Sequence, residues 1–148
     1  MWQTLPDLGT GIIYAILVAA AYTFAVSIAA GRGRPRLLEA ARFGGYATCA
    51  FIALGTVLLA YAFITHDFRI RYVARYSDRS MPTAYLFASL WGGQDGSLLW
   101  WSALLAGYTS FCLRWMKGRY RQLQPYVIAT LMSIIGFFGL VMLFAANP

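Results

Sequence analysis

Charge is what this chain has least of. Only 11% of its 148 residues are Asp, Glu, Lys or Arg, against about 25% in ordinary globular proteins. Hydrophobic residues make up 60%, and a soluble chain this short buries only about two-thirds of the surface it exposes unfolded. A water-soluble enzyme and a disordered chain are therefore excluded. Histidine is also scarce: His66 has no second histidine to share a metal or haem. The two cysteines, Cys49 and Cys112, lie far apart with no C-x-x-C, which excludes a thiol–disulfide centre and leaves them as small membrane-buried side chains. No Ser-His-Asp, paired-carboxylate or Walker pattern occurs, so the sequence offers no catalytic residue and no metal site.

What the chain has instead is long apolar runs. Residues 10–31, 43–65, 96–113 and 125–147 carry no charge, and roughly 20 apolar residues in a helix cross a hydrocarbon core of about 30 Å. The third run is short and takes its next turn, Arg114-Trp115-Met116, at the interface. Backbone in lipid must satisfy its own hydrogen bonds. The runs thus predict an all-α, polytopic protein with four transmembrane helices, at about 10–31, 43–65, 96–116 and 125–147, in one membrane domain over 1–148. The first run has no Lys or Arg before it and exceeds the roughly 7–15 residues of a signal-peptide core. It is expected to stay in the membrane.

The twelve basic residues set the orientation. Arg32, Arg34, Arg36 and Arg42 fall between the first and second helices; Arg114, Lys117, Arg119 and Arg121 fall between the third and fourth. Only Arg69, Arg71, Arg75 and Arg79 fall on the opposite side. The positive-inside rule then places both termini and the 66–95 loop outside the cytoplasm. The net charge of +7 calls for no nucleic acid, because eight of the twelve cations are topology signals beside anionic lipid.

Two readings stand for the four outer arginines. They form a solvated loop face, paired in part with Asp67 and Asp78, or they form an anion-binding surface. In Arg69-Ile70-Arg71-Tyr72 charged and apolar residues alternate, so an extended or interfacial segment aims both guanidiniums one way, a fork suited to carboxylates. His66, at the outer end of the second helix, reads as a helix-end group complementing the dipole rather than as a ligand.

Small residues recur every four positions: Ala15, Ala19, Thr23, Ser27 and Gly31 in the first helix, Ala41, Gly45, Cys49 and Ala53 in the second, Ala103 and Gly107 in the third. Such stripes let helices approach closely in lipid. A transporter channel along them lacks the intramembrane Asp, Glu or Lys that coupling to protons or cations needs, which disfavours a small multidrug-type transporter.

The most informative stretch is Trp91-Gly92-Gly93-Gln94-Asp95-Gly96-Ser97-Leu98-Leu99-Trp100-Trp101. As structure alone it is the entry to the third membrane helix, with Asp95 or Ser97 as N-cap and the tryptophans in an interfacial belt. Pro82 to Leu90, just before it, reads as a short interfacial helix with Pro82 at its first turn. As a site, Gly92, Gly93 and Gly96 let a flat ligand or another helix approach the backbone, and the aromatics supply stacking planes.

The run from His66 through Arg69, Arg71, Tyr72 and Val73 to Ala74, followed by the run from Trp91 to Trp100, resembles the N-terminal region of the CcmF-type haem lyase family. The likeness extends over essentially all 148 residues, to the closing Phe144-Ala145-Ala146-Asn147-Pro148. The family pattern, roughly N-D-F-x-V-x-Y-V-A and then W-G-x-x-E-G-S-L-L-L-W, is departed from at His66, at Asp95 in place of Glu, and at Trp100, one place early in a Trp pair. The resemblance implies system I cytochrome c maturation, in which haem from a periplasmic chaperone is attached to the C-x-x-C-H of apocytochrome c. The family's haem-ligand histidines and tryptophan-rich motif lie beyond the matched region, so haem is expected to be bound mainly by parts of the complex outside this chain. The chain is expected to be the first four helices of a longer protein, as a split-gene product or a fragment, and not a complete enzyme alone.

The expectation is therefore a scaffold and periplasmic docking surface in a bacterial inner membrane, or an organellar inner membrane if organelle-encoded. Its partners would be the remaining C-terminal part of the haem lyase, the haem chaperone, apocytochrome c and membrane lipid. The docking candidates are Arg69, Arg71, Tyr72, Trp91, Gly92, Gly93, Asp95, Gly96, Ser97 and Trp100. The alternative on composition and topology is a small accessory subunit of a membrane respiratory complex.

Overall fold

The computed structural model describes residues 4–145. It contains α1 (Thr4–Gly31), α2 (Leu38–Ile64, entered through a 3₁₀ turn at Pro35–Leu37), α3 (Arg71–Tyr76), α4 (Thr83–Gly92), α5 (Gln94–Trp115) and α6 (Gln124–Phe144), with no strand among the described residues. The end expected for the fourth membrane helix, at 147, lies outside the described residues.

Among the described residues, three stretches are long and apolar enough to cross a membrane: Asp7–Gly31, Pro35–Ile64 and Gln124–Phe144, with mean hydropathies of 2.2, 2.1 and 2.5. The protein is an all-α membrane protein. At 22 residues α5 has the length, but Gln94, Asp95, Ser97, Ser102, Thr109, Ser110 and Arg114 lower its apolar content.

Local chemistry places the helix ends. Gly33 turns the chain after α1 with φ +98, a left-handed conformation that costs glycine nothing. At the end of α2, His66 takes φ +50. The His66 N–H donates to the Phe63 carbonyl at 3.2 Å and the Asp67 N–H to that of Ala62 at 2.9 Å. That is a Schellman closure, whose left-handed residue is usually glycine or asparagine. The histidine at the helix end is thus a backbone feature as much as an electrostatic one. Between α5 and α6 the buried Gln124 amide donates to the carbonyls of Met116 and Arg119, tying the turn together.

The long helices close into a bundle: α1 packs chiefly on α2 and α6, and α5 packs on α2 and α6. Ile16, Ile52, Ile128, Met132 and Ile135, each 1% exposed or less, form its centre. A second cluster at one end joins Ile13, Leu59, Phe63, Leu99 and Met142 to Tyr72 and Val73 of α3 and to Leu86 and Leu90 of α4. Outward-facing Val18, Phe43, Val57, Phe111 and Phe137 are all exposed, the pattern expected where lipid is the solvent. Three buried hydroxyls bond back to their own helices: Thr23 to the Ala19 carbonyl at 2.6 Å, Thr48 to that of Gly44 at 2.9 Å, Ser102 to that of Leu98 at 2.8 Å.

The small-residue stripes need correcting. Thr23 and Ser27 of α1 are fully buried, and Ala41, Gly45 and Cys49 of α2 are buried, but Ala53 is exposed. In α5, Gly107 faces open space and Ala103 is half-buried, while Ser102, Ala106, Thr109 and Leu113 make the packing face. A four-residue step overshoots a full turn by about 40° at 3.6 residues per turn. A strict i, i+4 row therefore leaves the interface after two or three steps. Arg42, expected as an interfacial topology charge, is only 7% exposed and pairs with Glu39 at 2.9 Å.

Candidate docking site around residues 66–101

The segment leaving α2 folds back over the end of the bundle. Asp67 takes the Arg69 side chain in a two-pronged pair, with Nε and Nη2 both at 2.7 Å. The same carboxylate accepts the Arg69 N–H at 3.2 Å. Hydrogen bonding from Arg69 holds the Asp67 carboxyl below the usual carboxylate range and raises the pKa of the guanidinium in turn. Along Arg69-Ile70-Arg71-Tyr72, exposed and buried residues alternate, although α3 already begins at Arg71. Arg75 and Arg79 lie over the rings of Tyr76 and Phe68, 5.9 and 5.8 Å from their centroids.

Tyr72 turns the other way. It is 2% exposed, crosses Phe63 edge-on at 5.6 Å, and lies 4.8 Å from the Tyr76 ring. Its hydroxyl donates to the Ser89 carbonyl at 2.9 Å and accepts the Gly93 N–H at 3.0 Å. A Cβ at Gly93 would lie 2.5 Å from the Tyr76 ring and 2.8 Å from that of Tyr72, and one at Gly96 would run into the Tyr72 hydroxyl and the Leu90 carbonyl. These two glycines admit a tyrosine of the same chain. Burial pushes the Tyr72 phenol above its ordinary pKa. Gly92, by contrast, faces open space.

This joint also moves the start of α5. The helix begins at Gln94 with Gly93 as N-cap and no side-chain cap bond. Neither Asp95 nor Ser97 is the N-cap: Asp95 lies in the first turn, where the helix dipole favours an anion, and Ser97 donates to the Gln94 carbonyl at 2.8 Å. A single residue joins α4 to α5, so a glycine with extended backbone there does the work of a longer capped loop. Trp91, 46% exposed, stacks on Trp100 across this corner at 5.2 Å with a 37° tilt.

The candidates thus sort into three places. Arg69 and Arg71 share the rim of a cavity of about 260 Å³ among the ends of α1, α2, α5 and α6. Tyr72, Gly93 and Gly96 form a closed joint. Trp91 and Trp100, with Gly92 at the end of α4, make an aromatic corner. Tyr76, Ser89 and the cavity itself were not legible from the sequence; the spacing of Tyr76 four residues after Tyr72 was the available signal. No cluster of three or more potential metal ligands occurs among the described residues.

Fold and surface together define an all-helical membrane protein with one elaborated bundle end. Comparison with known proteins narrows the class. The chain is 31% identical to the cytochrome c-type biogenesis protein CcmF of Pseudomonas aeruginosa over 97% of its own length and 22% of that protein. It is 30% identical to the cytochrome c-type biogenesis protein NrfE of Haemophilus influenzae over 97% of its length and 23% of that protein. A solved structure described as cytochrome c heme lyase CcmF superposes with a TM-score of 0.90 at 27% identity, covering 98% of this chain and 24% of that one. No family model matches the chain. In sequence and in fold, then, the chain is similar to part of the CcmF and NrfE cytochrome c biogenesis proteins. It spans about a fifth of the length of the curated relatives it matches.

Proposed function

We propose that the chain acts in cytochrome c biogenesis as the N-terminal part of a CcmF-type haem lyase, as scaffold and docking surface. The superposition with CcmF over 98% of the chain carries this reading. In it α5 is the third of four membrane spans, α4 lies in the interface, and both termini and the 66–95 segment face the periplasm across a bacterial inner membrane. Haem is bound mainly by the remaining C-terminal part of the lyase, because one histidine cannot supply two axial ligands within this chain. Arg69, Arg71, Trp91 and Trp100 present cations and aromatic faces to the haem chaperone and apocytochrome c. Asp95, Gly92 and Ser97 shape the corner that carries the tryptophans.

Cytochrome c yield in the reassembled complex tests this. Replacing Arg69 and Arg71 together with glutamine is expected to lower maturation at normal protein abundance, whereas changing Arg34 and Arg36 disturbs insertion and abundance. Normal maturation in the Arg69/Arg71 double variant would refute the docking role. Cysteine labelling at Ser77 but not Gly33 from the periplasmic side checks the orientation, and the opposite pattern overturns it.

A further inference from the structure

The cavity beneath Arg69 and Arg71 is lined by Ile13 and Ile16 of α1, Leu59 of α2, Leu99 of α5 and Met142 of α6. All five are buried residues fixed by their own packing, so the walls are preformed. At the rim the Arg69 fork is held by Asp67, and Arg71 adds a second cation, leaving one net positive charge. At about 260 Å³ the space exceeds the roughly 150 Å³ of an apolar cavity that accepts benzene. It falls below the roughly 300–1,000 Å³ of pockets for drug-sized ligands. Its apolar walls take part of an acyl chain. The opening lies where α1 begins and α2 ends, at the boundary between apolar helix and polar loop. An occupant with an apolar tail and an anionic head satisfies walls and rim together, and anionic phospholipids are such molecules.

We propose that this cavity binds an anionic membrane phospholipid, with one acyl chain among α1, α2, α5 and α6 and the phosphate at Arg69 and Arg71. The proposal rests on the membrane class of the protein and on the cavity, so its failure leaves the cytochrome reading standing. Because both readings use Arg69 and Arg71, Gly9→Leu separates them: it keeps both arginines, so lipid retention falls while cytochrome yield does not.

The test is native mass spectrometry of the full chain in detergent with equimolar dioleoyl phosphatidylglycerol and dioleoyl phosphatidylcholine. Phosphatidylglycerol is expected to be retained at least about fivefold over phosphatidylcholine, and Arg71→Gln to lower that retention about fivefold. Gly9→Leu plugs the cavity from α1, where an added Cβ meets nothing within 4 Å, and is expected to lower retention of both lipids while the protein melts as before. Equal retention of the two lipids, or unchanged retention in Gly9→Leu, overturns the proposal. Inorganic phosphate alone should not displace the bound lipid; displacement would assign the arginines to a free anion and equally overturn it.

Discussion

Two adjacent glycines make the sharpest test of how the bundle end is built. At Gly92 an added methyl meets open space; at Gly93 it meets two tyrosine rings, 2.5 and 2.8 Å away. The Gly93 backbone, at φ −112 and ψ 164, is open to any residue, so strain is not the issue. Alanine there must push both Tyr76 and Tyr72 aside, and moving Tyr72 strips its hydroxyl of the Ser89 carbonyl and the Gly93 N–H. Overpacking costs about 1–3 kcal/mol, and leaving buried polar partners unsatisfied costs about 1–3 kcal/mol more. With partial relaxation, Gly93→Ala is expected to lose about 2–4 kcal/mol. Gly92→Ala, in the last turn of α4, is expected to be neutral or to gain up to about 1 kcal/mol from helix propensity. Tyr72→Phe, which removes only the hydroxyl, is expected to cost about 1–2 kcal/mol. Combined with Gly93→Ala it should cost less than the sum, because both act on one contact. Thermal melting of the purified protein in one detergent measures all four. If Gly93→Ala melts with Gly92→Ala, the tyrosine joint does not hold this end together.

Three further outcomes follow from single residues. His66→Gly is expected to stabilise the protein by roughly 0.5–1 kcal/mol, because glycine takes the left-handed closure of α2 without a Cβ penalty; a lower melting temperature would show that the imidazole contributes more than its backbone costs. The Asp67 carboxyl is depressed by Arg69, so its stabilisation is complete above about pH 4 and lost as pH falls through the lower folded value. Arg69→Gln should accordingly move the Asp67 carboxyl titration upward in carbon NMR, and no upward movement would refute the pairing. Gly107→Ala on the open face of α5 is expected to be neutral to stabilising by up to about 1 kcal/mol, whereas Gly44→Ala, whose Cβ would meet Thr23 Oγ1, should destabilise; equal melting of the two would overturn the assignment of the packing faces.

The sequence by itself determined the solvent and the helices. Charge so sparse and apolar runs so long permit only helical backbone in lipid, so the class and three of the spans followed from composition alone. Family resemblance was legible too, because the 66–74 and 91–100 runs are unusual residues in fixed order. What only the tertiary structure decided was which side of each pattern faces what. The alternation Arg69-Ile70-Arg71-Tyr72 showed that two arginines share a side, but the cavity they overlook is made by residues from four helices far apart in sequence. Gly93 and Gly96 read equally well as room for a ligand or for a neighbour. The neighbour is Tyr72, some twenty residues earlier, because the fold-back after α2 lays α3 against the α4–α5 corner. The i, i+4 rows placed small residues on a helix face, and the 3.6-residue turn carried Ala53 and Gly107 away from the seam. A one-dimensional pattern fixes what a residue is able to touch; the packing of α1, α2, α5 and α6 fixes what it does touch.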